Sequence, residues 1–307
     1  MEGSSTEGNT DTEGKPDWLR REWRPERESF DHIREALRKR DLATVCEEAS
    51  CPNIDECWSQ EGTATFMIMG DSCTRTCGFC NVDTGGGEDL DPLEPAKIAG
   101  AVDDIGLDYV VITSVDRDDV PDGGSRHFAK VVKAVKFKSD ALVEVLIPDF
   151  QGERECLSRI VEEQPTVVAH NLETVERLQT EVRDPRAGYG QSLDVLRNVK
   201  EMDDGIFTKS SLMLGLGESE DEVLEAMHDL REAGVDVVTF GQYLQPSDDH
   251  LEIQEWVPPD KFDRFEEIAD EMGFRFCASG PFVRSSYKAG ELFIKNVVEK
   301  GGEPSPL

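Results

Sequence analysis

Short β-branched apolar runs alternate with longer amphipathic stretches from residue 64 onward, and this alternation strongly constrains the fold. It is typical of βαβ units that build a parallel sheet. Six runs have the length of strands, at residues 64–70, 109–114, 142–147, 166–172, 209–216 and 236–243. Helices are predicted at 95–104, 124–137, 153–164, 174–182, 218–233 and 259–272. Six units are too few for a closed (β/α)8 barrel, so an open partial barrel or a doubly wound sheet fits the α/β pattern.

Polar, glycine-rich sequence follows each of these runs, whereas the runs themselves are mostly apolar. The second run leads into SVDRDDVPDGG, the fourth into HNLET and the sixth into GQYLQPSDDH. In barrels of this kind, functional residues collect at the carboxyl ends of the strands. The pattern therefore favours a partial (β/α)6 barrel of the TIM type whose upper rim is the active site.

The chain is predicted to carry an extension at each end of the barrel. Residues 1–15 have the composition of a disordered acidic tail, and residues 16–62 form an N-terminal extension that bears cysteines. Residues 63–280 are assigned to the barrel, and residues 281–307 to a C-terminal segment that contains an RSSY motif and a helix.

The charge balance bears on partners and location rather than on activity. Asp and Glu number 65 against 33 Lys and Arg, for a formal net charge of −32. Such a chain is expected to bind neither nucleic acid, which needs cations for its phosphates, nor anionic membranes. The polar N-terminus is no secretory signal, and no apolar run has the length of a membrane span. We therefore predict a cytoplasmic protein, in which eight cysteines are unlike a disulfide framework.

Three cysteines, Cys73, Cys77 and Cys80, directly follow the first predicted strand, with gaps of three and two residues. A structural zinc site requires four closed ligands, and a redox dithiol requires only two. Three thiols on one short loop suit a 4Fe–4S cluster in which one iron remains open to another ligand.

The spacing C-x3-C-x2-C after the first strand of such units resembles the radical S-adenosylmethionine (radical SAM) superfamily. The resemblance implies a partial (β/α)6 barrel in which the open iron binds S-adenosylmethionine. It also implies reductive cleavage of that cofactor to a 5′-deoxyadenosyl radical, which abstracts hydrogen from an unactivated carbon.

A second triplet, Cys46, Cys51 and Cys57, lies upstream with gaps of four and five residues. By itself it is also compatible with a zinc knuckle that has a remote ligand, or with scattered structural cysteines. The pairing of the two triplets resembles the lipoyl synthase family. Further stretches agree with that family, including CGFCNV, VDRDDVPDGGS, HNLETVERL, TKSSLMLGLGE, GQYLQPSDDHLEI and SGPFVRSSYKAG.

The resemblance to lipoyl synthases implies insertion of two sulfur atoms, at C6 and C8 of an octanoyl chain on a protein lysine. It implies two 4Fe–4S clusters, of which the second is the sulfur donor and is consumed. It further implies that Ser286 of the RSSY motif is the fourth ligand of this second cluster, with Arg284 and Tyr287 near the cluster or substrate. Without the resemblance, RSSY would be interpreted as a helix start capped by serine.

Contacts with S-adenosylmethionine are expected from residues at three strand ends. The candidates are Ser114, Asp116, Asn171, Glu173, Gly215 and Gly217. Alternatives remain open for each pair of residues: Asn171 could cap a helix, and GLGE could be a tight βα turn. His170 is interpreted as a hydrogen-bonded strand-end histidine rather than a base.

The implied partners are octanoylated lipoyl-domain proteins, namely the E2 subunit of 2-oxoacid dehydrogenases and the H protein of glycine cleavage, and a ferredoxin- or flavodoxin-type reductant. The lysines of KVVKAVKFK are interpreted as a solvated helix face rather than a docking site. Two alternatives remain: another radical SAM sulfur-inserting enzyme, of methylthiotransferase or biotin-synthase type, and an electron-transfer protein with two clusters.

Overall fold

The computed structural model describes residues 15–19, 27–40, 42–48, 53–54 and 64–286. The helices are α1 Arg27–Arg38, α2 Val45–Glu48, α3 Glu94–Ile105, α4 Ser125–Lys138, α5 Arg154–Val161, α6 Gln179–Val182, α7 Tyr189–Met202, α8 Glu220–Glu232 and α9 Pro259–Glu271. The strands are β1 Ala43–Thr44, β2 Thr65–Ile68, β3 Ser72–Cys73, β4 Asp83–Thr84, β5 Tyr109–Ser114, β6 Leu142–Leu146, β7 Val167–Ala169, β8 Phe207–Leu214, β9 Val237–Gln242 and β10 Phe276–Ser279. The predicted acidic tail (except Lys15), the predicted C-terminal helix, Cys51, Cys57 and Tyr287 lie outside the described residues, as does the side chain of Cys46.

Eight strands form one sheet, in the order β1-β2-β5-β6-β7-β8-β9-β10. From β2 to β10 all neighbouring strands are parallel and follow chain order, whereas β1 pairs antiparallel with β2 at the edge. Within the described part of the chain, β1 and β10 remain separate edges. The order does not reverse as in a doubly wound sheet, so the fold is the predicted partial barrel.

All six predicted strands are present, and β10 adds a seventh parallel strand that was not predicted. The other difference lies between β7 and β8. The predicted helix 174–182 is reduced to a 3-10 turn and α6, and the long helix of this unit is α7. The apolar positions of α7 recur every third residue, at Leu193, Leu196 and Val199, and all three are buried.

The two faces of the strands pack into different cores, as the period-2 geometry of a strand requires. Val110 and Ile112 of β5 face the helices of the first half of the barrel. Val238 and Phe240 of β9 face a second outer core, toward α8 and α9. Tyr109, Val111, Val167 and Val237 form a smaller core inside the barrel, at the amino ends of the strands.

Helix α8 begins where its sequence specifies. The Ser219 hydroxyl accepts a hydrogen bond from the Glu222 backbone N–H, and the Glu222 carboxylate accepts one from the Ser219 N–H. This capping box satisfies two donors that the first helical turn leaves without partners. It fixes the start of α8 directly after the turn that follows β8.

A buried ion pair lies inside the barrel at the level of the inner core, since Glu144 is in register with Val111 and Val167, and Lys209 with Val237. The Lys209 ammonium on β8 donates to both carboxylate oxygens of Glu144 on β6, at 2.8 and 3.1 Å. The Tyr109 hydroxyl donates to the same carboxylate, at 2.5 Å. The side chains of Lys209 and Glu144 are 3% and 2% exposed, so each charge depends on the other for compensation.

We predict that Lys209→Met lowers the free energy of unfolding by about 3–5 kcal/mol, because it leaves the Glu144 charge buried without its partner. Chemical denaturation of the purified variant measures the change. The matched control is Lys133→Met, whose side chain is 72% exposed and lies 3.5 Å from Glu163. Its cost should stay below about 0.5–1 kcal/mol. If both variants lost the same free energy of unfolding, the buried Glu144–Lys209 pair would not contribute more to stability than an exposed pair.

Candidate functional site at the carboxyl ends of the strands

A cavity of about 280 Å³ lies at the carboxyl ends of the strands. The three thiols of Cys73, Cys77 and Cys80 face it, together with residues that follow β5, β6 and β7. Eight of the residues predicted from sequence line the cavity: Cys73, Cys77, Cys80, Ser114, Asp116, Asn171, Glu173 and Ser286. The fold therefore brings together residues that are more than 200 positions apart in the chain.

The cysteine loop, residues 73–80, is held by backbone contacts on both sides. Cys73 pairs with Thr84 in the two-stranded sheet of β3 and β4. The Arg75 N–H donates to the Cys73 sulfur at 3.4 Å, and the Asp184 N–H donates to the Cys77 sulfur at 3.3 Å. Hydrogen bonds to cysteine sulfurs are among the contacts that tune iron–sulfur clusters.

Burial raises the pKa of all three thiols, and that of Cys77 rises to about 12. The interaction between neighbouring cysteines adds to this for Cys77 and Cys80. Neutral thiols are thus favoured unless a cationic metal centre stabilises the thiolates.

The donor set fits an iron–sulfur cluster better than a single metal ion. Among the residues that the structure describes, no three His, Cys, Asp or Glu side chains converge as ligands of one ion. A 4Fe–4S cluster binds each thiolate through a different iron, so its ligands need not converge. Three thiols that face one cavity without converging on a single point are therefore compatible with such a cluster.

An extended segment, residues 244–257, covers the far side of the cysteine loop. The Leu251 N–H donates to the Gly78 carbonyl at 3.1 Å. The His250 ring donates from Nε2 to the Cys80 carbonyl at 3.0 Å, and its Nδ1 lies 2.8 Å from the Ser247 hydroxyl. Because a carbonyl only accepts, Nε2 carries a proton. The segment therefore fixes the position of the last cysteine.

Polar atoms without partners face the cavity at the ends of β5 and β7. Ser114 Oγ and Asn171 Oδ1 are buried and have no hydrogen-bond partner. The Asn171 amide donates to the Glu173 carboxylate at 3.0 Å, and because its Oδ1 accepts no backbone N–H, Asn171 is not a helix cap. Burial raises the pKa of Glu173, and burial also raises that of Asp116 to about 6. Unpaired acceptors and carboxylates of this kind fit a polar, cationic ligand such as S-adenosylmethionine.

Gly215 and Gly217 form a tight turn after β8 and do not line the cavity. The Glu218 carboxylate accepts hydrogen bonds from the N–H groups of Gly215 and Leu216, at 2.6 and 2.9 Å. A Cβ at Gly215 would lie 2.4 Å from the Glu255 carbonyl. The glycines thus join the turn to the segment that covers the cysteine loop.

The C-terminal segment, residues 280–286, enters the barrel across β9. A Cβ on Gly241 would lie 2.0 Å from the Val283 carbonyl, so glycine is needed for this close approach. The segment brings Ser285 and Ser286 to the cavity. Arg284 donates to the Val283 carbonyl at 2.7 Å and is not among the residues that line the cavity.

The N-terminal extension contacts the same region. The Asn53 amide, between Cys51 and Cys57 in sequence, donates to the Phe282 carbonyl at 2.7 Å. Val45, which precedes Cys46, lines the cavity. The residue before Cys46 therefore lines the same cavity as Ser286, and a residue between Cys51 and Cys57 contacts the segment that carries Ser286.

His170 is hydrogen bonded through both ring nitrogens, as the sequence interpretation had it. Its Nδ1 donates to the Ile147 carbonyl at 2.8 Å, so Nε2 accepts from the Ser192 hydroxyl at 2.9 Å. The Arg183 guanidinium donates to the same hydroxyl at 2.8 Å. Burial and the positive charge of Arg183 lower the pKa of His170 to about 4.

The lysines of α4 behave as a solvated helix face. Lys133 lies near Glu163, and Lys138 near Asp103. The Lys136 ammonium donates to the carbonyls of Glu163 and Gln164, at 2.9 and 2.5 Å. Two of the four lysines therefore have a carboxylate of this chain nearby, and a third donates to backbone carbonyls.

Three residues that hold the cysteine loop were not predicted from the sequence: Arg75 and Asp149, which line the cavity, and His250, which lies on the segment that covers the loop. Their roles depend on contacts between segments that are distant in the sequence. The only sequence feature that could have indicated one of these roles is the position of a charged residue, Arg75, between two cysteines.

A partial barrel whose first strand leads into three thiols facing a cavity is the architecture of a radical enzyme that uses S-adenosylmethionine. The radical SAM superfamily model matches residues 67–230. The fold also resembles Streptococcus suis SuiB bound to S-adenosylmethionine, at a TM-score of 0.54 and 13% identity over 78% of this chain and 50% of that one. The hydrogenase maturase HydG from Carboxydothermus hydrogenoformans is similar, at 0.54 and 14% over 91% and 79%.

Sequence relatives narrow the family. A lipoyl synthase of Natronomonas pharaonis is 58% identical over 292 residues, covering 94% of each chain. A chloroplastic lipoyl synthase of Arabidopsis thaliana is 53% identical, covering 93% of this chain and 74% of that one. The chain belongs to the lipoyl synthase family of the radical SAM superfamily, and it is a sulfurtransferase whose family uses S-adenosylmethionine and iron–sulfur chemistry.

Within the described residues, the chain has no helix long and apolar enough to cross a membrane.

We predict that lowering the pH from 6.5 to about 4 destabilises the apoprotein through His170. Its pKa is lower folded than unfolded, so the unfolded chain binds the proton first and stability is lost as the pH falls. The shift from 6.5 to about 4 corresponds to about 3 kcal/mol. Plots of the free energy of unfolding against pH for wild type and His170→Gln should diverge by that amount across this interval and run parallel above it. Identical slopes would contradict the assignment.

Proposed function

We propose that this chain inserts two sulfur atoms, at C6 and C8 of an octanoyl chain on a lipoyl-domain lysine, with two 4Fe–4S clusters and S-adenosylmethionine. The observation that carries the proposal is the cavity itself, since Ser286 lines it together with Cys73, Cys77 and Cys80. When bound, the first cluster supplies the electron that cleaves S-adenosylmethionine, and the second supplies sulfur.

The first cluster is assigned to the thiolates of Cys73, Cys77 and Cys80, which face the cavity. Ser114, Asp116, Asn171 and Glu173 then bind and orient S-adenosylmethionine. The unpaired acceptors Ser114 Oγ and Asn171 Oδ1 support this assignment, because donors of a bound ligand would satisfy them. Gly215 and Gly217 are assigned to shaping the strand end rather than to direct contact.

The second cluster is assigned to Cys46, Cys51, Cys57 and Ser286. Support comes from the Asn53 hydrogen bond to Phe282 and from the position of Val45 at the cavity. Both contacts bring the extension toward Ser286. A serine oxygen is a harder donor for iron than a thiolate, which suits a cluster that must give up sulfur.

The octanoyl chain is assigned to the apolar part of the same cavity. Its apolar walls are formed by Val45, Met67, Phe79, Val82, Val115, Leu146 and Ile147. These side chains exclude water and orient an unreactive alkyl chain by packing, because it has no polar handle. The protein substrates are then octanoylated E2 subunits and glycine cleavage H protein, with a ferredoxin- or flavodoxin-type reductant.

The decisive experiment uses anaerobically reconstituted protein, S-adenosylmethionine, a strong reductant and an octanoyl-lysyl peptide. Mass spectrometry should show a peptide that has gained two sulfur atoms, with 5′-deoxyadenosine in the same reaction. Deoxyadenosine without sulfur gain would contradict the proposed substrate. Sulfur gain limited to one atom would contradict the assignment of both carbons.

The two cysteine triplets should separate the two steps. Cys73→Ala should abolish formation of 5′-deoxyadenosine, because the cluster with an open iron cannot assemble. Cys51→Ala should leave deoxyadenosine detectable but stop sulfur insertion. Cys156→Ala is the matched control, since Cys156 is buried among core residues away from this cavity, and it should retain both products. Lipoyl product at wild-type levels from Cys51→Ala would refute the two-cluster assignment.

The position of Ser286 can be tested without changing a ligand. Gly241→Ala places a Cβ against the Val283 backbone and should displace the segment that carries Ser286. We expect sulfur insertion to fall about 10-fold or more, with deoxyadenosine largely retained. Gly190→Ala is the control, because a Cβ there meets no atom within 4 Å. Parallel loss of both products in Gly241→Ala would argue against a selective effect on the second cluster.

A further inference from the structure

The cysteine loop carries its own buried cation. Arg75, between Cys73 and Cys77, has a side chain that is only 3% exposed. Its guanidinium donates to both oxygens of Asp149, each at 2.7 Å. It also donates to both oxygens of Asp118, at 2.9 and 3.0 Å. Two bidentate pairs thus tie the loop to the segments that follow β5 and β6, with far more geometric constraint than a single ion pair provides.

Asp149 is itself held in place by an unusual turn. Phe150, Gln151 and Gly152 have φ values of 46, 54 and 79° in succession. The left-handed region is unfavourable for the first two of these residues, so the surrounding contacts must maintain it. The Gln151 N–H donates to Asp149 at 2.9 Å, and the Gln151 amide donates to Asp118 at 3.0 Å. The turn therefore orients both carboxylates toward one guanidinium.

Further charges surround this contact, because Arg186 Nη1 lies 3.1 Å from Asp118. Asp116 adds a third carboxylate, 3.4 Å from the Arg75 Nε. Although burial acts against ionisation, the hydrogen bonds from Arg75 lower the pKa of Asp149 to about 2. Asp149 has a side-chain exposure of 0%, so breaking the pair would leave a buried charge without a partner.

We propose that Asp149 is a positioning residue that acts through Arg75 to hold Cys73 and Cys77 in the geometry that retains the first cluster. This inference rests on the proposed role of the three cysteines as cluster ligands. Asp149 contacts neither sulfur, and its effect reaches the thiols through the guanidinium and the short loop. Residues that hold the metal ligands in position without contacting the metal strongly affect how tightly the metal centre is retained.

The test is Asp149→Asn in reconstituted full-length protein. Asparagine keeps the size of the side chain but replaces one acceptor with a donor that faces the guanidinium. The readout is the EPR signal of the reduced cluster that changes when S-adenosylmethionine is added, followed over time with a ferrous chelator. We expect this signal to decay about 10-fold faster than in wild type. Decay at the wild-type rate would overturn the inference.

Asp119→Asn is the matched control. Asp119 forms a similar bidentate pair with Arg117, with both contacts at 2.8 Å, on the same loop. Arg117 donates to the carbonyls of Met69 and Glu88 rather than holding the cysteine loop to β6. This variant should therefore keep the wild-type decay rate. If the signal decayed equally fast in both variants, the loss of any ion pair near the cysteine loop would have the same effect, and the specific role of Asp149 would be overturned.

A second variant separates positioning from stability. Arg75→Lys keeps the buried charge but cannot form two bidentate pairs, so the same faster decay is expected even if Asp149→Asn unfolds. The double variant should decay no faster than the more affected single variant, because both act through one contact. Independent, multiplying effects would overturn the proposal. A wild-type protein that shows no responsive EPR signal at all would instead refute the proposed function.

Discussion

The parallel sheet stays open between β1 and β10 in the described part of the chain, and the rest of the structure depends on this opening. A closed barrel would fill its interior with side chains. Here the inner core is confined to the amino ends of the strands, and the Glu144–Lys209 pair lies at the same level. The carboxyl ends are left with a cavity that segments from both ends of the chain can reach.

The N-terminal extension and the C-terminal segment both reach this cavity, and they contact each other there. The C-terminal segment crosses β9 at Gly241, where the absence of a side chain admits the Val283 backbone. Asn53 of the N-terminal extension then donates to Phe282. The barrel thus provides three thiols, and the C-terminal segment adds Ser285 and Ser286 to the lining of the same cavity.

Much of this could be predicted from the sequence. The six strands follow from β-branched runs, and the cysteine loop follows from its spacing after the first run. The short strand β10 and helix α7 were missed, because a four-residue strand carries little periodic signal and a 3-10 turn with α6 occupies the predicted helix position. Arg75 and Asp149 were also missed, since residues 74 positions apart give no local sign of their contact.

The sequence by itself determined the class of chemistry, because thiol spacing and the succession of strand and helix patterns are local properties of the chain. Only the tertiary structure decided which candidates share the cavity. It placed Ser286 in the lining of the same cavity as Cys73, Cys77 and Cys80, and it placed Gly215 and Gly217 in a turn outside that lining. It also set the charge state of the site, since the burial that raises the thiol pKa and lowers that of His170 arises when distant segments remove water from these groups.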